Sequence, residues 1–137
     1  MTYKILIAES VDEKILAEFS NNQNFEFTYL PSLSVEELEQ KIKGFDGLFV
    51  RPKQVTPAAI NSADKLKIVI RGGAGVNSIA LEECKSKGII VANTPALNSD
   101  ATAEFTFALL LNLIKQTTSS DAALKNNQQP IPEDFMG

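Results

Sequence analysis

No histidine occurs anywhere in the chain, and cysteine occurs once, at Cys84. The first absence removes the side chain that most often moves protons near neutral pH and that commonly binds transition metals. The second excludes an internal disulfide. Nothing in Glu82-Glu83-Cys84-Lys85 activates the thiol, so Cys84 reads as a structural residue of a cytoplasmic protein. Clustered carboxylates are missing as well, which leaves no acid–base or metal apparatus in view. Positive charge is the minority sign: 13 Lys and Arg stand against 17 Asp and Glu, for a net charge of −4. That balance excludes the basic footprint of a nucleic-acid binder and any attraction to anionic membrane surfaces. The longest apolar run, 107–111, is far too short to span a bilayer, and no basic-then-apolar leader precedes residues 3–8.

What the 137 residues do contain, at 44% hydrophobic and 22% charged, is a regular alternation of strand and helix patterns with enough apolar matter for one real core. Strands are expected at 3–8, 25–30, 47–51, 67–71 and 89–93. The capping boxes Ser10-x-x-Glu13 and Ser34-x-x-Glu37 open the first two helices, and Thr56-Pro57 supplies an N-cap and a first-turn proline for the third. A fourth helix is expected over 78–87, closed by Gly88, as Gly44 closes the second. Strand two alternates Phe25, Phe27 and Tyr29 with Glu26 and Thr28, the pattern of an edge. Leu48-Phe49-Val50, Ile68-Val69-Ile70 and Ile89-Ile90-Val91 are continuous apolar runs, as strands covered on both faces require. The expected fold is α/β, a doubly wound five-stranded parallel sheet in flavodoxin-like order.

The chemistry gathers in Val69-Ile70-Arg71-Gly72-Gly73-Ala74-Gly75-Val76-Asn77-Ser78, an apolar strand running into an arginine and a glycine-rich loop. Glycines at 72, 73 and 75 permit φ > 0 and let backbone N–H groups converge on an anion. Arg71 adds a planar, fixed charge suited to carboxylate or phosphate. The loop falls short of the dinucleotide fingerprint, because Ser78 stands in place of the third glycine and no acid ends a following strand. Ala8-Glu9-Ser10-Val11-Asp12, the first strand-to-helix turn, has no glycine at all, so a self-contained Rossmann domain is not expected. On an open parallel sheet the carboxyl ends of the strands share one rim. That rim collects Glu9-Ser10, Arg51-Pro52-Lys53, Arg71 with its loop, and Asn93-Thr94-Pro95 leading to Asn98. A small carboxylate- or phosphate-bearing ligand fits this set, with Lys53 solvated and Glu104 serving the start of its helix.

The fifth helix, from near Asp100, is apolar nearly all round through 105–114, which a single sheet face cannot cover. Residues 119–137, with Asn126-Asn127-Gln128-Gln129-Pro130, read as linker. The expected organisation is a substrate-binding domain over 1–99, an interdomain helix over 100–118 and a linker over 119–137. Self-association through helix 100–118 is expected to cover its apolar surface.

The blocks Phe49-Val50-Arg51, Val55-Thr56, 67–76, Gly88-Ile89-Ile90-Val91-Ala92-Asn93-Thr94-Pro95, Asn98-Ser99 and Ala103-Glu104 together resemble the D-2-hydroxyacid dehydrogenases. The resemblance covers nearly the whole chain and is closest to members that act on a phosphorylated 2-hydroxy acid. It implies an NAD-dependent oxidoreductase whose flavodoxin-like substrate domain is interrupted by a Rossmann nucleotide-binding domain. This chain matches the first segment of the substrate domain and is truncated before the Rossmann domain, with Phe135-Met136-Gly137 similar to the run into it. Its partners are then a small phosphorylated 2-hydroxy acid and its own nucleotide-binding domain. By the same resemblance Arg51 and Arg71 lie around the substrate, the backbone of Gly73, Ala74 and Gly75 holds its carboxylate, and Asn98 lines its pocket. Ala74 and Thr102 match positions facing the nicotinamide. No catalytic residue and no metal ligand is carried over, so the chain alone is expected to be inactive and to hold NAD poorly. Pro52 departs from the usual serine or threonine, Ala74 from a frequent threonine, and Asn77-Ser78 from a common Asp-Asn. A reductase of glyoxylate or hydroxypyruvate and a stand-alone anion-binding module remain open. A phospho-acceptor signalling domain does not fit, since Arg51 and Asn93 hold the positions where it needs aspartate and lysine.

Overall fold

The computed structural model describes residues 2–129. Residues 2–97 and the segment from Asn98 onward form two compact units. In the first, β1 (Tyr3–Ile7), β2 (Phe25–Tyr29), β3 (Gly47–Val50), β4 (Ile68–Arg71) and β5 (Ile90–Asn93) make one parallel sheet in the order β2-β1-β3-β4-β5. Helices α1 (Glu13–Ser20), α2 (Val35–Lys41), α3 (Pro57–Ser62) and α4 (Leu81–Ser86) fill the crossovers. The doubly wound order and the edge position of β2 follow the sequence pattern.

Period-two alternation sends Leu6, Leu48, Val50 and Val69 to one sheet face, where they join Leu38, Ile42, Ala59, Ile60 and Cys84 in a fully buried cluster. That face carries α2, α3 and α4. Lys87 stitches α3 to it: its ammonium donates to the carbonyls of Ile60 at 2.9 Å, Asn61 at 2.9 Å and Ala63 at 3.4 Å, satisfying the helix's open C-terminus. The other face presents Ile5, Ile7, Phe49 and Ile70. With Phe19 of α1 and Phe25 and Phe27 of β2, these line an apolar groove of about 290 Å³. Phe19 stacks on Phe27 with ring centroids 5.1 Å apart, which seats α1 over the β2 edge.

Several boundaries differ from the sequence pattern for identifiable reasons. The Ser34 capping box forms, with Glu37 N–H donating to Ser34 Oγ at 3.1 Å and Ser34 N–H to Glu37 Oε2 at 2.8 Å. The Ser10 box does not. Asp12 caps α1 instead, accepting from Lys14 N–H at 2.8 Å, because an aspartate inside the box is an equally good cap with a shorter reach. Helix α4 starts at Leu81 and not at residue 78. Residues 78–80 are drawn into a bridge with Val55, whose N–H donates to Ser78 C=O at 2.8 Å and whose C=O accepts from Ala80 N–H at 3.0 Å.

The second unit contains α5 (Ser99–Lys115) and α6 (Thr117–Lys125), separated by Gln116 in the left-handed region at φ 48°. Residues 119–125 are therefore helical where the polar composition indicated linker. The expected run of 135–137 toward a further strand lies outside the described residues. Helix α5 has no buried residue. Among the described residues no helix is long and apolar enough to cross a membrane.

Candidate functional site

Register places Val50, Arg71 and Asn93 side by side at the carboxyl ends of β3, β4 and β5. Three hydrogen bonds then turn the chain out of β4. Gly72 N–H extends the ladder to Val50 C=O at 2.8 Å, Gly73 N–H folds back on Arg71 C=O at 2.9 Å, and Gly73 C=O accepts from Thr94 N–H at 3.2 Å. The carboxamide of Asn93 donates to Ala74 C=O at 2.6 Å. Arg71 Nε donates to Arg51 C=O at 3.1 Å, so the guanidinium ties the loop after β3 to the loop after β4.

The glycines serve a different purpose from the one their loop implied. Positive φ among glycines occurs at Gly44 and Gly88, not at 72, 73 or 75. Gly72 and Gly73 serve close approach instead. A Cβ on Gly73 would lie 2.8 Å from Arg71 Nη1, and one on Gly72 would lie 2.9 Å from Phe49 Cζ. The guanidinium lies against the loop backbone because no side chain keeps it away.

Gly73 N–H is spent within the turn. The amides of Ala74 and Gly75 have no hydrogen bond to the rest of the described chain, and both residues are exposed. Neither arginine has a carboxylate partner either: the ion pairs among the described residues are Lys4–Glu26, Lys67–Asp46 and Lys125–Asp121. Arg71 is half-buried and Arg51 exposed. The rim thus offers charged N–H groups and two backbone amides that nothing among the described residues accepts from, the donor set an oxyanion requires.

Lys53 is not solvated. Its ammonium donates to Leu33 C=O at 2.5 Å and its backbone N–H to Glu9 Oε1 at 2.9 Å, so it anchors the loop carrying Arg51. Sequence reading put Glu9 and Asn93 on the rim but missed their holding roles. A polar residue closing an apolar strand next to a glycine loop is the signal that could have found Asn93. Cys84 is buried in the core, and that burial, then the Glu83 carboxylate, push its thiol pKa up, consistent with packing and against reactivity.

Asn98 and Thr102 belong to the second unit. Asn98 C=O accepts from Thr102 N–H at 2.9 Å and from Thr102 Oγ1 at 2.8 Å, opening α5 with the Asn98 side chain exposed. Glu104 is exposed on the same helix. No dinucleotide cradle is present in the first unit. The turn after β1 holds no glycine, and α4 begins six positions past Gly75, so no helix N-terminus sits under the glycine loop.

Residues 5–134 match the family model described as D-isomer specific 2-hydroxyacid dehydrogenase, catalytic domain. The chain belongs to that family. It is 37% identical over 138 residues to the D-3-phosphoglycerate dehydrogenase of Rattus norvegicus, covering 98% of this chain and 25% of that protein. It is 38% identical over 129 residues to the D-3-phosphoglycerate dehydrogenase of Methanocaldococcus jannaschii, covering 91% of this chain and 24% of that one. The NAD⁺-bound 3-phosphoglycerate dehydrogenase of Entamoeba histolytica superposes with a TM-score of 0.76 at 26% identity, covering 84% of this chain and 40% of that structure. This D-2-hydroxyacid dehydrogenase chain spans about a quarter of the length of the curated relatives it matches.

Proposed function

We propose that this chain is the substrate-binding portion of an NAD-dependent D-3-phosphoglycerate dehydrogenase, an enzyme of serine biosynthesis, and that the rim between β3 and β5 holds the phosphorylated 2-hydroxy acid. One observation carries the reading: Arg71, tied to Arg51 C=O, lies against the loop that carries the open amides of Ala74 and Gly75, and neither arginine pairs with a carboxylate among the described residues. In this reading the amides and the Arg71 Nη groups take the substrate carboxylate. Arg51, on the exposed side, takes the phosphate. Each contact is charge-assisted and directional, so the chain binds and orients the substrate. Hydride transfer belongs to the nicotinamide of the whole enzyme. The chain alone should neither turn over nor hold NAD well. The bare apolar side chains of α5 support association of that segment with another copy or with the rest of the enzyme.

Nuclear magnetic resonance titration of the chain with D-3-phosphoglycerate tests the reading. Affinity in the millimolar range is expected, with the Ala74 and Gly75 amides among those that move most. No movement there at saturating ligand would end the proposal. One feature favours a second reading, a glyoxylate or hydroxypyruvate reductase: Pro52 removes an N–H donor next to Arg51, where a phosphate would use it. Tighter binding of hydroxypyruvate than of D-3-phosphoglycerate in the same titration would select it.

A further inference from the structure

An amide pair works as an anion site only if both N–H groups point the same way, and the glycine loop lacks the alternating left-handed residues that usually arrange this. The orientation comes from the end of β5 instead. A trans peptide is planar, with its C=O and N–H pointing in opposite directions, and none of the described peptides is cis. Thr94 N–H holds Gly73 C=O toward β5, at 3.2 Å, which turns Ala74 N–H away from β5. Asn93 Nδ2 holds Ala74 C=O toward β5, at 2.6 Å, which turns Gly75 N–H away from β5 as well. Two consecutive amides therefore both turn away from β5, and neither has a partner among the described residues. The first is set by a backbone bond that any residue at 94 with an N–H can make. The second depends on one side chain. Strand register puts Asn93 opposite Arg71, so it is the residue of β5 placed to reach that carbonyl.

We propose that Asn93 is a positioning residue of the cradle. By fixing the peptide between Ala74 and Gly75, its carboxamide gives the rim its affinity for a carboxylate, as distinct from its general attraction for anions. The inference rests on the reading of this rim as an anion cradle and adds to it the residue that tunes it. The charges of Arg51 and Arg71 attract phosphate and carboxylate alike, and the aligned amides add to the Arg71 fork two directed donors for the two oxygens of a carboxylate.

The test uses the whole chain with two probes, D-glycerate for the carboxylate and inorganic phosphate for charge alone, read by amide chemical shifts. Asn93→Ala should weaken D-glycerate by about tenfold, the size of one hydrogen bond to a charged group. Phosphate binding should stay within about twofold, and Asn93→Gln should recover part of the lost D-glycerate affinity. Equal loss for both probes, or no loss for D-glycerate, overturns the proposal. A wild-type chain whose Ala74 and Gly75 amides ignore both probes overturns the cradle itself, a result distinct from an unaffected Asn93→Ala variant. If Asn93→Ala does not fold, the wild-type side-chain NH₂ resonances of Asn93 decide the matter. They should exchange slowly and shift with D-glycerate, and fast exchange with no shift would refute the role.

Discussion

The two ends of the parallel sheet treat charge in opposite ways. At the amino ends Asp46 is surrounded by donors: Lys4 N–H at 3.1 Å and Lys67 Nζ at 2.9 Å, with the Lys67 ammonium also 4.7 Å from the centre of the Tyr3 ring. The same residue continues the backbone ladder, giving its N–H to Lys4 C=O at 2.8 Å and accepting Lys67 N–H at 2.8 Å. At the carboxyl ends the Arg51 guanidinium, the Arg71 Nη groups and two amides have no acceptor among the described residues. One half-buried guanidinium, Arg71, is held in place through its Nε and left unneutralised at its Nη groups. Pairing at one end and deliberate surplus at the other, within one sheet, separate what holds the fold from what the fold presents. Open α/β sheets place ligands at the carboxyl end, and here the electrostatics agree with the topology.

The largest effect expected comes from Arg71→Ala, which removes both Nη donors and the tie to Arg51 C=O. Affinity for D-3-phosphoglycerate should fall about 10- to 100-fold, as for hydrogen bonds between charged groups. Because that end contributes function more than cohesion, the melting temperature should move by only a few degrees. A large loss of stability with unchanged binding would reverse the contrast between the two ends. Gly73→Ala should come next. Its Cβ would meet Arg71 Nη1 at 2.8 Å, and a flexible side-chain end gives way more easily than backbone. The guanidinium should swing off the loop, and binding should weaken severalfold in a chain with native circular dichroism. Unchanged affinity in the same titration would mean that contact between guanidinium and loop is incidental.

Much of the contrast was legible before any coordinates. Apolar runs ending in Arg51 and Arg71 mark the carboxyl ends of central strands, and Ser34-x-x-Glu37 and Thr56-Pro57 mark helix starts that form as written. The misread features are those decided by contacts distant in sequence or by competition within a turn. Asp12 displaced Ser10 as a cap within the same four residues. Residues 78–80 gave up helix for a bridge to Val55, a partner more than twenty positions away. The 119–125 segment, polar enough to pass for linker, is helical, with the Thr118 amide and the hydroxyls of Thr117 and Thr118 all donating to Asn112 Oδ1. In the site itself the residue types were visible but their partners were not. The reason for Gly73, the anchoring of Lys53 and the reach of Asn93 all depend on strand register, which composition does not contain.

At the amino end Asp46→Asn should change pH dependence and leave ligand binding alone. The Lys67 hydrogen bond, followed by the Lys4 amide, lowers the Asp46 pKa from 3.8 in the folded chain. A depressed carboxylate pKa contributes stability that is present above 3.8 and lost as pH falls through the lower folded value. The wild-type melting temperature should therefore drop across that acid window, and the Asn variant should drop less. An identical acid limb in both would show that Asp46 is not a linchpin of this end.

The smallest effect should follow Lys67→Met. The Lys67 pKa is raised, chiefly by the hydrogen bond to Asp46, so its contribution is complete below 10.5 and fades as pH rises through the higher folded value. The lysine side chain is 59% exposed, and water and salt screen most of the attraction, so the melting temperature at neutral pH should hardly move. The sulfur-containing side chain can still cover the Tyr3 ring, which preserves the apolar part of the contact. What should change is salt sensitivity. Between low and 1 M NaCl the wild type should lose a small increment of stability that the variant lacks, with D-3-phosphoglycerate affinity equal in the two proteins at each salt concentration. A Lys67→Met variant that binds the ligand more weakly than wild type would couple the two ends and break the separation between them.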